Sequence, residues 1–228
     1  MTVGVLARVN RARERWHDGS LTMLLAVQLV WIFGLVPAIA EGLRVPAGAA
    51  VVLLLVFMSL TIVMARGRWT LAVGLGTLGL AAGSVVVRHV FHDVVADVAG
   101  DVIALVTFVV LSAVVLSAVF RPGRFTSHRV RGAVVLYLNL GLMFGFADRM
   151  VAELLPGAYT HVPGPANEAA FRAAFEYFSF TTLTSVGYGD IVAVRPIARS
   201  LATLEAMLGQ MLPTVLIARV VILAMREE

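Results

Sequence analysis

An all-α membrane protein is the fold class this sequence predicts, and three observations predict it. Of 228 residues, 60% are hydrophobic and the mean hydropathy is +0.92, more apolar surface than a water-soluble core of this size can hide. The apolar residues gather into six runs of about twenty residues, the length a helix needs to cross the hydrocarbon of a bilayer. All 18 basic side chains are arginines, and they fall mostly in the connectors between runs. A net charge of +4 and an isoelectric point near 10.3 therefore describe topology and give no reason to expect nucleic acid as a partner. Cysteine is absent, so disulfides and thiolate metal sites are excluded.

Residues 1–20 carry Arg8, Arg11, Arg13 and Arg15, with Val5, Val9, Ala12 and Trp16 recurring at helical spacing. This pattern predicts a basic interfacial N-terminal segment, a topogenic flank that also offers Arg8, Arg11 and Arg15 to anionic lipids. Leu21–Ala40 is the first span. Its end, Pro37-Ala38-Ile39-Ala40, looks like a signal-peptidase site, but the run exceeds the roughly 7–15 residues of a signal-peptide core. A second run covers Ala49–Ala65. The third, Thr70–Val87, offers Gly79 and Gly83 as a small-residue face for close helix packing. The fourth covers Val102–Phe120 and leads into a connector containing Arg121, Arg124, Arg129 and Arg131.

The fifth run is Gly132–Leu155, with Gly141 and Gly145 one helical turn apart. Pro156–Pro165 reads as an irregular turret. Asn167 is placed to cap a short helix from about Glu168 to Thr182, and Ala198–Ala224 forms the last span after Arg195-Pro196. The chain thus divides into the N-terminal segment 1–20, a four-helix module 21–125 and a module 126–228. With both termini in the cytoplasm, most arginines lie on the inner side, and Arg44, Arg88, Arg149, Arg172, Arg195 and Arg199 lie outside. A multi-pass protein of the cell membrane is expected. The sequence stops at Glu228, so no cytoplasmic nucleotide- or calcium-binding domain is expected after the last span.

The most informative stretch is Thr181-Thr182-Leu183-Thr184-Ser185-Val186-Gly187-Tyr188-Gly189-Asp190. Two glycines alternate with Val186 and Tyr188, which lets the backbone turn successive carbonyls to one side. Carbonyls so arranged can replace water around a cation. The stretch resembles the signature of tetrameric potassium channels, whose filters use four copies of a TVGYG-type loop in this way. Ser185 stands where that family usually has threonine. The resemblance covers about Gly132 to Ala224 and implies six transmembrane helices, a re-entrant pore helix and a selectivity filter in a homotetramer, since one filter per chain cannot enclose an ion.

The resemblance assigns K+ binding to Ser185, Val186, Gly187, Tyr188 and Gly189, with no organic cofactor. It places Thr181, Thr182, Thr184, Asp190, Tyr177 and Phe178 as filter supports, and the C-terminal end of the 168–182 helix toward a central cavity. In the last span, Gly209 falls at the family's hinge glycine and Pro213 lies one turn on; close packing and a fixed kink are the alternative roles. Glu205 and Gln210 are cavity candidates, with pairing to an arginine open for Glu205 and an interhelical hydrogen bond for Gln210.

Val102–Phe120 contains no basic residue. One charge crossing 100 mV yields roughly 2.3 kcal/mol, so such a span draws little work from the field, and weak or no voltage dependence is expected. Between the third and fourth runs, His89, His92, Asp93, Asp97 and Asp101 have the spacing of a metal- or proton-sensing face, with a solvated helix end as the plainer reading. No nucleophile–base pair or phosphate loop suggests an enzyme. The rival classes are a subunit of a potassium transporter and a non-conducting membrane sensor; transporters of that kind carry several degenerate filter loops in one long chain, whereas this chain has a single intact one.

Overall fold

The structure, a computed structural model, describes residues 22–43, 94–119 and 127–224, together with Gly76, Gly79 and Gly83 as helical positions. The basic segment 1–20, the second run, His89, His92 and Asp93 lie outside the described residues, as do the neighbours of Gly79 and Gly83. What is described is almost wholly helical. Among the described residues three helices are long and apolar enough to cross a membrane, over Thr22–Ala40, Val98–Ser117 and Val130–Leu154.

Helix α1 spans residues 22–40 and widens to π geometry over Trp31–Leu35. Pro37 lies just beyond that stretch and has no N–H to return to the preceding turn, which accounts for a local loss of the regular bonding pattern. Helix α2 covers Val94–Val119 and helix α3 covers Ser127–Leu154. Polar side chains tie these three together inside an otherwise apolar contact. Gln28 of α1 donates to Asn139 Oδ1 of α3 at 2.6 Å, and Asn139 donates to Ser112 Oγ of α2 at 3.2 Å. Ile32, Leu138 and Leu142 form the apolar core around them, with Phe108, Phe146 and Phe180 packed against it.

Helix α2 begins eight residues before the expected start at Val102. Asp97 and Asp101 therefore lie in the first turns of α2, and Asp101 is buried and not at a solvated helix end. Asp101 tolerates this position because Arg149 of α3 forms a buried ion pair with it, and both side chains are almost fully enclosed. Arg149 also lies 3.8 Å from Glu153, one turn on.

After α3 the chain forms the turret, which contains a two-residue strand β1 (Tyr159–Thr160). Helix α4 follows over Glu168–Leu183, then β2 (Val192–Ala193), then helix α5 over Pro196–Ala224. β1 and β2 pair antiparallel, Tyr159 opposite Ala193 and Thr160 opposite Val192. The turret expected to be irregular is thus stitched to the segment that leads into α5. Pro196 starts α5, where its missing N–H costs nothing, and the helix continues past Pro213 for 29 residues in all, about 43 Å at 1.5 Å per residue.

Candidate functional site

Helix α4 is placed by its two ends and two faces. At its start the Asn167 side chain accepts from Ala170 N at 3.3 Å, the cap that sequence predicted. Its buried face carries Phe171, Phe175 and Phe178, which pack with Tyr159, Ala158 and Ala198. The Tyr159 ring meets Phe175 and Phe178 edge-on, with centroids 5.0 and 5.4 Å away. Its hydroxyl donates to Asp148 Oδ1 of α3 at 2.7 Å. Burial, and then the neighbouring Asp148 carboxylate, raise the Tyr159 phenol well above its ordinary range, so it remains a donor at neutral pH.

Gly141 and Gly145 of α3 face α4. A Cβ at Gly141 would come within 2.5 Å of the Phe180 ring, and one at Gly145 within 3.4 Å of the Glu176 backbone. Glu176 lies in the field of Arg149 and Arg172. Arg172 itself pairs with Glu168 one turn earlier on α4.

The end of α4 turns directly into the filter-like stretch. Positive φ occurs at Ser185 (58°), Gly187 (51°) and Gly189 (78°), every second residue, while Val186 and Tyr188 are not in that region. Such alternation is open to glycine at no steric cost; at Ser185 it is strain of the kind found at functional sites. The amides are turned inward: Ser185 N donates to Thr182 O at 2.9 Å, and Val186 N and Gly187 N both donate to Thr181 O at 2.9 and 3.1 Å. The carbonyl ends of α4 that a helix leaves unpaired are thereby used. Among the described residues no backbone amide donates to the carbonyls from Ser185 to Gly189. The whole stretch from Thr184 to Asp190 is exposed on the single chain.

Of the residues expected as supports, Thr181, Thr184, Tyr177 and Asp190 make contacts beside the loop, while Phe178 packs on the rear with Tyr159. Thr181 Oγ1 donates to Phe178 O at 2.9 Å, and Thr184 Oγ1 to Phe180 O at 2.6 Å, which locks the last turn of α4. Tyr177 stacks on Tyr188, with centroids 6.3 Å apart and rings 3° from parallel, and its hydroxyl interacts with the Asp190 carboxylate. Asp190 also accepts from Ile191 N at 3.1 Å.

Helix α5 presents Ala198, Ala202, Glu205 and Gly209 toward α4, and Leu204, Met207, Met211 and Val215 on exposed faces. A Cβ at Gly209 would lie 1.9 Å from the Leu183 carbonyl oxygen, so the two backbones touch here and only glycine fits. The same carbonyl accepts from Tyr137 of α3 at 3.3 Å. Close packing is thus the role the geometry gives Gly209, and the helix runs unbroken through it and Pro213. Gln210, one residue on, is exposed and donates to Ser185 Oγ at 3.0 Å. Glu205 is neither at a cavity nor beside an arginine: it is fully buried within the chain and bonded to Ser179 of α4. The reason is its register, since it stands one turn from Gly209 on the face pressed against α4.

Sequence reading missed Asp148, Arg149, Tyr159 and Ser179. The first two were detectable as adjacent charges inside an apolar run, a costly placement that signals a partner. Tyr159 and Ser179 carried no such signal. Of the proposed sensing group, Asp97 lies on α2 and Asp101 is held by Arg149, and no cluster of three potential metal ligands occurs among the described residues.

Helix α4 thus ends in a strained loop whose carbonyls accept no backbone amide among the described residues, and α5 packs behind it. Residues 168–226 match the family model described as ion channel, which supports the resemblance of this segment to the potassium channel family. The match supports an ion-channel segment in a helical membrane protein. Protein LctB of Geobacillus stearothermophilus is 36% identical over 84 residues, covering 35% of this chain and 62% of that protein. No solved structure matches the chain significantly.

Proposed function

We propose that the chain is one subunit of a homotetrameric potassium-selective channel that passes K+ passively down its gradient. The observation that carries this reading is the alternation of positive φ at Ser185, Gly187 and Gly189, with the amides of Ser185, Val186 and Gly187 bound to the end of α4. Amides fixed on one side leave the carbonyls of Ser185, Val186, Gly187, Tyr188 and Gly189 for the other, where four copies around an axis substitute for the hydration shell of the ion. The negative end of the α4 dipole adds a favourable potential for a cation on the inner side. Gln210 holds the Ser185 hydroxyl at the inner mouth, and the stacked Tyr177–Tyr188 pair with Asp190 braces the outer half. Helix α2 has no basic residue, its two carboxylates lie in its first turns and Asp101 is paired with Arg149, so membrane potential finds little charge to move there and gating is weakly or not voltage-dependent. In this reading both termini are cytoplasmic and the filter faces the outer solution.

The test is reconstitution of the purified protein in liposomes with a potassium gradient. Potassium flux well above sodium flux is expected, through a particle of four chains. Equal passage of sodium, or a particle of another stoichiometry, overturns the proposal.

A further inference from the structure

Ser179 sits at a junction whose protons can be counted. Its Oγ is 2.6 Å from the Gly141 carbonyl oxygen of α3, and it is also within hydrogen-bond distance of Glu205 Oε1 of α5. A serine hydroxyl has one proton to give, and a carbonyl oxygen has none. Were Ser179 to donate to an ionised Glu205, its oxygen and that of Gly141 would face each other at 2.6 Å with lone pairs alone. Both contacts are hydrogen bonds in one arrangement only: the Glu205 carboxylic acid donates to Ser179 Oγ, and Ser179 donates to the Gly141 carbonyl.

The surroundings favour the same arrangement. Ser179 and Glu205 both have 0% exposure, and an ionised carboxyl without a cation is expensive in such a place. The titratable groups that face Glu205 are Asp148 and Tyr137 from α3 and Tyr159 from β1, while α4 contributes the neutral Ser179. Asp148 accepts a hydrogen bond from the Tyr159 hydroxyl, which favours placing any negative charge of the group there. A second negative charge beside it is unfavourable.

We propose that Glu205 is held as the neutral acid and is the donor that starts a directional clasp, from Glu205 through Ser179 to the Gly141 carbonyl, joining α5, α4 and α3 behind the filter-like loop. The inference concerns one side chain's proton and does not depend on which ion the pore passes. Ionisation would turn Glu205 from donor to acceptor. Ser179 would then swing its proton away from Gly141, and α3 would lose its tie to α4 at that level.

Infrared difference spectra of the full-length protein in lipid at neutral pH, wild type against Glu205→Gln, test it directly. The expected result is a protonated-carboxyl carbonyl stretch present in wild type and lost in Glu205→Gln, displaced to higher frequency in Ser179→Ala. A second measurement is the thermal midpoint of the folded protein. Glu205→Gln keeps the size and a donor, so its midpoint should match that of wild type at acid pH, lie above it at neutral pH, and lack the fall that wild type shows as pH rises above the ordinary carboxyl range. Glu205→Ala should lower the midpoint. Loss of an ionised-carboxylate band instead, or a Glu205→Gln protein as damaged as Glu205→Ala or unable to fold, overturns the proposal, because each means that the site requires an anion.

Discussion

The two sides of helix α4 solve opposite problems. On its front, the loop from Ser185 to Asp190 is exposed and its side chains permit an unusual backbone; in the proposed function its main-chain carbonyls meet the ion. Behind it, Tyr159, Asp148, Ser179 and Glu205 are buried and work entirely through side chains that satisfy one another across three helices and a strand. Front residues are therefore contiguous in sequence, and rear residues are scattered from 141 to 205. The comparison teaches that the pore element is a thin, strained strip held in place by a dense polar and aromatic backing.

The comparison breaks most severely where front and rear meet. Gly209→Ala would put a methyl carbon 1.9 Å from the Leu183 carbonyl, with backbone on both sides of the clash. Overpacking of this kind costs roughly 1–3 kcal/mol, and here neither partner can rotate away, so the effect should lie at or beyond the top of that range. Both the thermal midpoint and ion flux should fall together. A variant with unchanged flux would show that α5 stands off from α4 in the assembled protein.

Gly187→Ala addresses the front alone. A side chain at φ 51° is strained by roughly 1–2 kcal/mol in each chain, with open space around it. Ion discrimination in liposomes should be lost while the midpoint changes little. A collapse in stability would mean that the loop is a folding element and not a permissive strip.

Tyr159→Phe addresses the rear alone. It retains the ring between Phe175 and Phe178 but strips a donor from the buried Asp148 carboxylate, a loss of about 1–3 kcal/mol. A lower midpoint with ion preference intact is expected, and flux measured on the same preparation checks the separation. The smallest effect should come from Asn167→Ala at the exposed start of α4, about 1 kcal/mol from the lost cap, read as a slight drop in midpoint.

The helical pattern of the pore half was legible because each signal is local. Asn167 caps at the expected place, α3 and α5 fall within a few residues of their apolar runs, and Pro196 opens α5. The glycine alternation was legible for the same reason: a backbone that needs positive φ advertises it residue by residue. The start of α2 was misjudged because a carboxylate in an apolar run looks like a boundary until its partner, Arg149, is known. Glu205 was misplaced for an equivalent reason, since a helix wheel shows which residues share a face but not which neighbour that face meets.

By itself, then, the sequence determined the membrane class, the helix limits around the pore and the residues whose backbone must turn, all properties of spacing within one segment. Only the tertiary structure decided that Gly209 touches Leu183, that Gln210 reaches Ser185, that Tyr159 supports Asp148 and that Glu205 is enclosed behind α4. These depend on the rotation of each helix about its own axis, and that is set by the sum of packing contacts between residues far apart in the chain.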